Sequence, residues 1–390
     1  MSSVLSTGAA LNAASQMRVV KRLVIKIGSA ILCGGDGEVR IAWLSSLAED
    51  VASLRARGCE VIIVTSGAIA LGRKKLGLAG ALRLDEKQAA SAAGQAALAQ
   101  AWQNAFAPFD ITIGQILLTL DDTENRRRYL NARATFRTLL DLGAVPLVNE
   151  NDTIATSEIR YGDNDRLAAH TAQLVEGDLL LLLSDVDGLY TADPRRDRAA
   201  THIPIVEAIT PDIERMAGGA NRDAGVGSGG MASKIAAAKI AGAAGCPTLI
   251  APGAVDHPVN AVLDGAAATL FQPSTSRESA RKKWIAGRLK SAGRIIIDDG
   301  ATKALAGGAS LLPAGVVSVT GVFARGDAVE IVSQSGGVIA QGLSAYDAEE
   351  ISKVAGSKSE KIESLLGYRR RPAVVEKDDL VLKRSHDGDR

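Results

Sequence analysis

The stretch Gly225–Lys234 has the residue types of a phosphate-binding loop. It reads GVGSGGMASK and contains the spacing G-x-G-x-x-G. A Rossmann fingerprint follows a buried strand and precedes an acidic residue by about 20 positions, but the residues before Gly225 are the small and polar AGGANRDA. A Walker loop needs a lysine directly after its last glycine, and this chain has Met231 there. The stretch therefore matches neither motif.

A glycine run followed by a helix still has a physical meaning. The alanines of MASKIAAAKIAGAAG favour a helix. Backbone N–H groups in the first turn of a helix lack partners within the helix and can bind an anion, and Lys234 falls in that turn. The residues alone leave two interpretations open: an anion-binding loop, or a mobile surface loop that precedes a helix.

The elements that must position these residues alternate between apolar runs and helical patterns. Predicted strands lie at 23–27, 61–65, 111–118, 145–148, 179–184 and 248–250. Predicted helices lie at 41–57, 85–107, 131–142 and 165–175. Apolar strands with helical crossovers predict an α/β fold whose mostly parallel sheet is covered by helices on both faces. Because such sheets bind ligands beyond the carboxyl ends of their strands, the residues after each run are candidates.

Two strand ends combine small residues with a possible cation. Lys26 stands inside the apolar run LVIKI, and Gly28 and Ser29 follow that run. A buried lysine needs a partner, so this pattern indicates an anion site, whereas an edge-strand lysine that faces water is the alternative. Ser66 and Gly67 follow VIIVT, where small residues indicate either close approach of a ligand or a tight strand-to-helix turn.

Other strand ends carry acidic and amide side chains. The run VPLV leads into NEND, which ends at Asp152, and LLLLL leads into Ser184 and Asp185. Polar loops are common, so NEND alone is weak. The sequence GDND places Asn164 and Asp165 at a predicted helix start, and N-capping explains one of its two acidic residues but not both.

Two lysines, glycine turns and carboxylates at neighbouring strand ends fit phosphoryl transfer. Cations and backbone amides neutralise phosphates, and carboxylates hold Mg²⁺ or orient the cations. The pattern includes no nucleophile with an adjacent base. An acceptor that is already ionised, such as a carboxylate with a pKa near about 4.3, needs no base at neutral pH. The pattern therefore modestly favours formation of an acyl phosphate.

In their order and spacing, KIGSA, VTSGAIALG, NENDTIAT, GDND, LLSDVDGLYTADPR and GSGGMASK resemble the motifs of glutamate 5-kinases in the amino-acid kinase family. The resemblance extends from Leu23 to Leu366, and these motifs occur together in few other proteins. The segments RIIIDDGATKAL, SLLPAGVVSVTGVFARGD and IAQGLSAYDAEEI resemble a PUA domain. The resemblance implies an enzyme that converts ATP and L-glutamate into ADP and L-glutamyl 5-phosphate with Mg²⁺, the first step of proline biosynthesis.

The resemblance also implies roles for individual residues. Lys26 and Lys234 would contact the transferring phosphoryl group, with Asp165 as the organiser of both lysines. The glutamate site would comprise Ser66, Gly67, Asp152 and Asn164. The ATP site would comprise Lys26, Gly28, Ser29, Ser184, Asp185, Ser228, Gly229, Gly230, Met231, Ala232, Ser233 and Lys234. Many relatives have Thr at Ser184 and Ser228, and both differences keep a hydroxyl. No metal ligand is assigned.

The same resemblance implies partners: L-proline as a feedback inhibitor, a homo-oligomer, and handover of the product to glutamyl phosphate reductase. Another acceptor is an alternative, namely aspartate, acetylglutamate, carbamate or a nucleotide, but NEND, GDND and the PUA-like segment together speak against it. RNA is a second alternative, because PUA domains generally bind RNA. Basic residues outnumber acidic ones only slightly over 277–390, which is too little to predict strong binding to a phosphate backbone.

Composition limits the classes of protein that fit. The 45 basic and 44 acidic residues leave a charge of +1, and so give no electrostatic reason to expect a nucleic acid or a membrane as the main partner. Three cysteines without a C-x-x-C pair and four scattered histidines indicate reduced thiols in a cytoplasm and argue against zinc. No apolar run approaches the ~20 residues that span a bilayer. Residues 1–16 lack the basic start of a secretory signal, and Met17 is an alternative start.

A chain of 390 residues exceeds one ordinary core, so two domains are expected. After the polar residues 271–284, short strands with turns and two short helical patterns, at 299–306 and 347–355, predict a small β-rich domain. The expected organisation is a flexible tail at 1–20, a catalytic domain at 21–275, a linker at 276–292, a PUA-like domain at 293–371 and a charged tail at 372–390.

Overall fold

The computed structural model describes residues 13–154, 164–217, 230–280, 291–368 and 371–383. The chain divides into two compact units. The first comprises Met1–Glu124 and Asn131–Arg277, and the second comprises Asn125–Leu130 and Glu278–Arg390. The candidate residues for chemistry all fall within the first unit.

The first unit is built on an eight-stranded sheet. The strands described in this unit are β1 (Arg22–Ile27), β2 (Glu60–Val64), β3 (Ile113–Leu118), β4 (Val145–Glu150), β5 (Leu179–Ser184), β6 (Leu189–Tyr190), β7 (His202–Ile203), β8 (Ile205–Val206), β9 (Thr248–Pro252) and β10 (Thr269–Phe271). Strands β6 and β7 form a separate two-stranded sheet, and the others form the large sheet. The order in the large sheet is β3-β4-β2-β1-β5-β9-β10-β8. In this order, each pair of adjacent strands from β3 at the edge through to β9 is parallel, whereas β10 is antiparallel to β9. The predicted mostly parallel α/β sheet is confirmed.

Helices connect these strands. Those described up to residue 280 are α1 (residues 13–19), α2 (Ser29–Leu32), α3 (Ile41–Ala56), α4 (Ala68–Lys75), α5 (Leu84–Phe106), α6 (Leu120–Glu124), α7 (Arg126–Asp141), α8 (Asn164–Leu174), α9 (Pro211–Met216), α10 (Met231–Ala243), α11 (Pro258–Leu263) and α12 (residues 277–280). The first turn of α7 and all of α12 after Arg277 belong to the second unit, and the other helices belong to the first. The four predicted helices are present within one or two residues of their expected ends, except that α7 starts at Arg126 rather than at 131. Among the described residues, no helix combines the length and apolar character needed to cross a bilayer.

The two central strands, β1 and β5, have neighbours on both sides and helices above and below. As a result Leu23, Ile25, Leu179 and Leu181 are fully buried. Full burial of an aliphatic side chain of this size contributes about 1.5–3 kcal/mol. Such burial explains why these strands are uninterrupted apolar runs in the sequence rather than alternating ones.

Helices α4 and α5 touch through their backbones at two glycines. A Cβ atom added at Gly72 would lie 1.7 Å from the carbonyl oxygen of Ala90, and one added at Gly94 would lie 1.8 Å from that of Ala68. No larger residue fits either position without displacing a helix. The crossing therefore sets α5 at a fixed place against the turn that precedes Ala68.

The expectation of a flexible tail over residues 1–20 is wrong for its described part. Residues 13–19 form α1, and Ala13 and Met17 are each 1% exposed. The guanidinium of Arg18 donates to the carbonyl oxygen of Leu263 at 3.4 Å. The apolar side chains of this weakly apolar segment join the main core, and that burial orders a segment whose sequence has no strong helical pattern.

The second unit contains a five-stranded sheet with short helices. Its described elements are β11 (Gly293–Ile297), α13 (Asp299–Ala306), β12 (Val316–Gly321), β13 (Ala328–Ser333), β14 (Val338–Leu343), α14 (Ala348–Val354), α15 (Ile362–Leu366) and β15 (Leu380–Leu382). The order in the sheet is β12-β11-β13-β14-β15. The expected small β-rich domain is present, with a core that includes Tyr346 and Val354.

The expectation of a loose charged tail from residue 372 is also wrong up to residue 383. Val374 and Val375 are fully buried, Val375 forms a bridge with Leu311, and β15 pairs with β14. Three consecutive apolar residues, Ala373–Val375, supply this anchor, and their signal was masked by the surrounding charges. In the expected linker, α12 is helical, and the guanidinium of Arg277 binds the carboxylate of Asp178; residues 281–290 lie outside the described residues.

Candidate functional site

Three charged side chains meet at the carboxyl end of β1. The Lys26 ammonium nitrogen lies 2.6 Å from Oδ1 of Asp165, and that of Lys234 lies 3.3 Å from Oδ2. The hydroxyl of Ser233 donates to Oδ2 at 2.7 Å. Asp165 is completely buried, and Lys26 and Lys234 are 6% and 5% exposed. One carboxylate therefore joins residues from three elements.

The local sequence explains why these side chains converge. Lys26 belongs to β1, which lies between β2 and β5, so the edge-strand alternative for this lysine is excluded. Helix α8 begins at Asn164 and packs against α10, which begins just after Gly230. Asp165 and Lys234 thus stand in the first turns of two packed helices, and both point toward the end of β1.

The charge balance of this cluster favours an anion. Burial opposes ionisation of Asp165, but the ammonium groups of Lys26 and Lys234, together with the hydrogen bonds that the carboxylate accepts, outweigh burial and hold its pKa below the usual value. These three side chains, two ammonium groups and one ionised carboxylate, together carry a charge of +1 and are removed from solvent. A phosphate group that enters would meet cations already held in place.

A second group of contacts surrounds Asn164, the residue before Asp165. Its amide nitrogen donates to the carbonyl oxygen of Thr65 at 2.9 Å, to the hydroxyl of Ser66 at 2.6 Å and to Oδ1 of Asn149 at 3.2 Å. Gly67 follows with φ of 111°, a left-handed conformation that favours glycine. The start of α8 therefore ties the ends of β2 and β4 to the lysine cluster.

Asp152 lies just beyond the end of β4. It is 8% exposed, and its Oδ2 accepts a hydrogen bond from the hydroxyl of Ser91 at 2.7 Å. Burial raises the pKa of Asp152, and the Ser91 hydrogen bond acts in the opposite direction. A buried carboxylate that follows the same strand as Asn149 can accept from a cationic ligand.

The end of β5 lies beside the end of β1. The register pairs Ile27 with Leu183, so Ser184 follows at the level of Gly28. The Ser184 hydroxyl donates to Oδ1 of Asp185 at 3.1 Å, and Asp185 is exposed. A Cβ atom at Gly28 would lie 3.6 Å from Nζ of Lys26, so the backbone here passes close to the ammonium group.

The glycine loop is described only from Gly230 onward. Gly230 is the N-cap of α10; Met231, Ala232 and Ser233 complete the first turn with Lys234. Ser228 and Gly229 lie outside the described residues. Within the described part of the chain, no three His, Cys, Asp or Glu side chains are grouped so that they could hold a metal ion.

Two residues of this site were not assigned to it from the sequence. Asn149 is the first residue of the NEND run, which the strand-end criterion selected, but only Asp152 of that run was given a role. Ser91 stands in the alanine-rich part of α5, and nothing in its sequence neighbourhood distinguishes it. The contacts of Lys26, Asp165 and Lys234, by contrast, bring together residues that were selected separately as strand-end candidates and that only the resemblance had linked.

A mostly parallel α/β sheet whose central strand ends beside two buried lysines on one carboxylate fits a phosphotransferase. The chain belongs to the amino acid kinase family, whose model matches residues 21–252, and a PUA domain model matches residues 293–366. Both matches agree with the resemblance identified in the motifs.

Relatives that have been described under the name glutamate 5-kinase are similar over nearly the whole chain. One from Paramagnetospirillum magneticum is 53% identical over 370 residues, which cover 95% of this chain and 100% of that protein. One from Rhizobium etli (strain CIAT 652) is 55% identical over 363 residues, 93% of each chain. Glutamate 5-kinase 1 of Rhizobium meliloti is 56% identical over 363 residues, 93% of this chain and 92% of its own.

Proposed function

We propose that this protein transfers the γ-phosphoryl group of ATP to the side-chain carboxylate of L-glutamate. The products are ADP and L-glutamyl 5-phosphate, and the reaction is the first step of proline biosynthesis. The observation that carries the proposal is the pair of buried lysines, Lys26 and Lys234, on the carboxylate of Asp165. The acceptor is supported by the relatives named glutamate 5-kinase, which match 93–95% of this chain at 53–55% identity.

The chemistry needs positioned charge more than it needs a base. A carboxylate oxygen of glutamate attacks the γ-phosphorus while the bond from that phosphorus to the bridging oxygen breaks, and ADP leaves with the electron pair. Lys26 and Lys234 lie where charge on the transferring group and on the bridging oxygen would be stabilised. Asp165 holds both ammonium groups in place before the substrates arrive, so little reorganisation remains at the moment of transfer.

Glutamate is assigned to the side of the site where the ends of β2 and β4 meet. Asp152 pairs with the α-ammonium, and Ser66 and Asn164, which are already hydrogen-bonded to each other, contact the rest of the substrate. Gly67 lets the backbone approach the ligand because it lacks a side chain. The side-chain carboxylate then points toward Lys26.

ATP is assigned to the opposite side. Lys26, Gly28, Ser29 and the first turn of α10 from Gly230 to Lys234 contact the phosphates. Ser184 and Asp185 at the end of β5 contact the nucleotide. Ser228 and Gly229 belong to the same proposal by sequence alone.

Mg²⁺ is proposed to enter with ATP. Both carboxylate oxygens of Asp165 are engaged by the lysines, so this residue acts on cationic side chains rather than as a metal ligand. Mg²⁺ commonly binds through substrate phosphates and water with few protein carboxylates. The ion would neutralise phosphate charge that the lysines do not reach.

The direct test is formation of glutamyl hydroxamate from ATP, glutamate and hydroxylamine, which traps an acyl phosphate. Aspartate, acetylglutamate, carbamate and a nucleotide are tested in parallel by release of ADP, because hydroxylamine does not trap a phosphorylated nucleotide. Product with glutamate alone is expected. Turnover of another acceptor in preference to glutamate would refute the assigned substrate and keep the kinase class.

Further partners are part of the same proposal. L-proline inhibits near the glutamate site, the enzyme assembles as a homo-oligomer and it hands its product to glutamyl phosphate reductase. RNA is the weaker alternative ligand for the PUA domain. A cytoplasmic location agrees with three buried free thiols, Cys33, Cys59 and Cys246.

A further inference from the structure

Ser91 is the only partner of the Asp152 carboxylate among the hydrogen bonds of the described residues. Ser91 is fully buried in α5, and its hydroxyl lies 2.7 Å from Oδ2 of Asp152. A serine in a helix interior is ordinarily exposed or bonded to the carbonyl oxygen four residues back. Here the hydroxyl reaches instead to a carboxylate on a different element.

We propose that Ser91 is a positioning residue for substrate recognition, which holds the Asp152 carboxylate in the orientation that receives the α-ammonium of glutamate. This inference rests on the proposed function, because it assumes that Asp152 binds that ammonium. It adds a residue outside the strand-end motifs to the glutamate site.

The crossing of α4 and α5 explains how Ser91 reaches Asp152. Gly72 of α4 lies against the backbone of Ala90, the residue before Ser91. Gly94 of α5 lies against the backbone of Ala68. Ala68 directly follows Gly67 at the turn after β2. The two backbone contacts between these helices therefore position both the Ser66–Gly67 turn and the hydroxyl that orients Asp152.

The hydrogen bond also bears on the charge of Asp152. Burial raises the pKa of this carboxyl, and the Ser91 hydroxyl stabilises the ionised form and so lowers the pKa. Among the charged residues on the adjoining segments, Lys87 precedes Ser91 by one helical turn and Glu150 precedes Asp152 by two residues; each has an interaction of its own. Without the hydroxyl, burial would act with less opposition, and a smaller fraction of Asp152 would be ionised at a given pH.

Ser91→Ala in the full-length protein tests the role. Because a hydrogen bond to a charged group is lost, KM for glutamate should rise about tenfold. Both kcat and KM for ATP should stay within about twofold, since the lost contact acts on bound glutamate in the ground and transition states alike. Ser91→Thr keeps the hydroxyl, so its KM for glutamate should be lower than that of Ser91→Ala.

The dependence of kcat/KM for glutamate on pH distinguishes a positioning role of Ser91 from a general loosening of the structure around it. The acidic limb of kcat/KM for glutamate should move to higher pH in Ser91→Ala, because the pKa of Asp152 rises when its donor is removed. In an Asp152→Asn background, Ser91→Ala should change KM for glutamate by less than about twofold, since the carboxylate it serves is already gone.

Thr248→Val is the matched control. Thr248 is buried in β9, and its hydroxyl has no hydrogen-bond partner among the described residues, so its loss should leave both KM values and the acidic limb unchanged. Equal changes in KM for ATP and glutamate, an unmoved acidic limb or additive effects in the double variant would each overturn the positioning role.

A wild-type protein that forms no glutamyl hydroxamate would overturn the proposed function and this inference together. An active wild type with an unaltered Ser91→Ala would overturn the inference alone.

Discussion

The ammonium group of Lys26 lies 2.6 Å from Oδ1 of Asp165, and both side chains are removed from solvent. The other oxygen of the same carboxylate accepts hydrogen bonds from the hydroxyl of Ser233 and the ammonium group of Lys234. Asp165 is therefore the common counter-ion of a strand lysine and a helix lysine. Loss of this carboxylate should affect both cations at once.

Asp165→Asn should lower kcat by about 10²-fold or more and destabilise the fold by about 3 kcal/mol, because two buried ammonium groups lose their charged partner. Activity and urea unfolding at neutral pH measure the two effects. Because the folded-state pKa of Asp165 is lowered, its stabilising contribution is present above the ordinary aspartate pKa and is lost as the pH falls through the folded-state value. The difference in unfolding free energy should therefore shrink below pH ~4, and a difference that grows there would contradict the assignment.

Lys234→Ala should lower kcat by about 10²-fold or more with little change in folding, since its ammonium is most valuable as charge shifts to the bridging oxygen. Lys239→Ala is the matched control, because Lys239 lies on the same helix but is exposed and pairs with Glu214. Its activity should match that of the wild type. A normal kcat in Lys234→Ala would remove this lysine from the reaction.

Asp152→Asn should raise KM for glutamate and leave KM for ATP unchanged. The carboxylate is assigned to the α-ammonium, which it would contact equally before and during transfer, so uniform binding is lost. Initial rates with each substrate varied in turn provide the measurement. A rise in KM for ATP instead would place Asp152 on the nucleotide or metal side.

Gly72→Ala should destabilise the protein by about 2 kcal/mol or more, because the added Cβ would lie 1.7 Å from the carbonyl oxygen of Ala90. Gly35→Ala is the control, since an added Cβ there meets nothing within 4 Å. Thermal or urea unfolding of both variants tests the expectation. Equal unfolding free energies for Gly72→Ala and the wild type would show that α4 and α5 can move apart without loss of stability.

A chain that ends after residue 280 should fold and retain glutamyl phosphate formation. The described residues assigned to chemistry all precede Ile235, and the end point keeps Arg277, whose guanidinium donates to the carbonyl oxygen of Glu176 at 3.1 Å. Circular dichroism and cooperative melting establish folding before activity is compared with the full-length protein. A folded but inactive truncated chain would assign part of the site to the second unit.

The sequence by itself determined six of the eight strands of the large sheet, four of the helices that connect them and most of the residues for chemistry. Each predicted strand and helix depends on local patterns of apolar residues, and a motif such as GDND or MASK is contiguous. Lys26 could be selected because a lysine inside an apolar run needs a partner. These signals are local, so no tertiary information is required to detect them.

Only the tertiary structure decided which side chains meet. The pairing of Lys26 with Asp165 was implied by the resemblance alone and not by the residues themselves, and nothing in the sequence paired Ser91 with Asp152; each pair joins residues far apart in the chain. The same holds for α1 and for Ala373–Val375, whose burial depends on surfaces that distant elements provide. Contacts of this kind follow from the packing of completed helices and strands, because that packing sets where each side chain points and what it can reach.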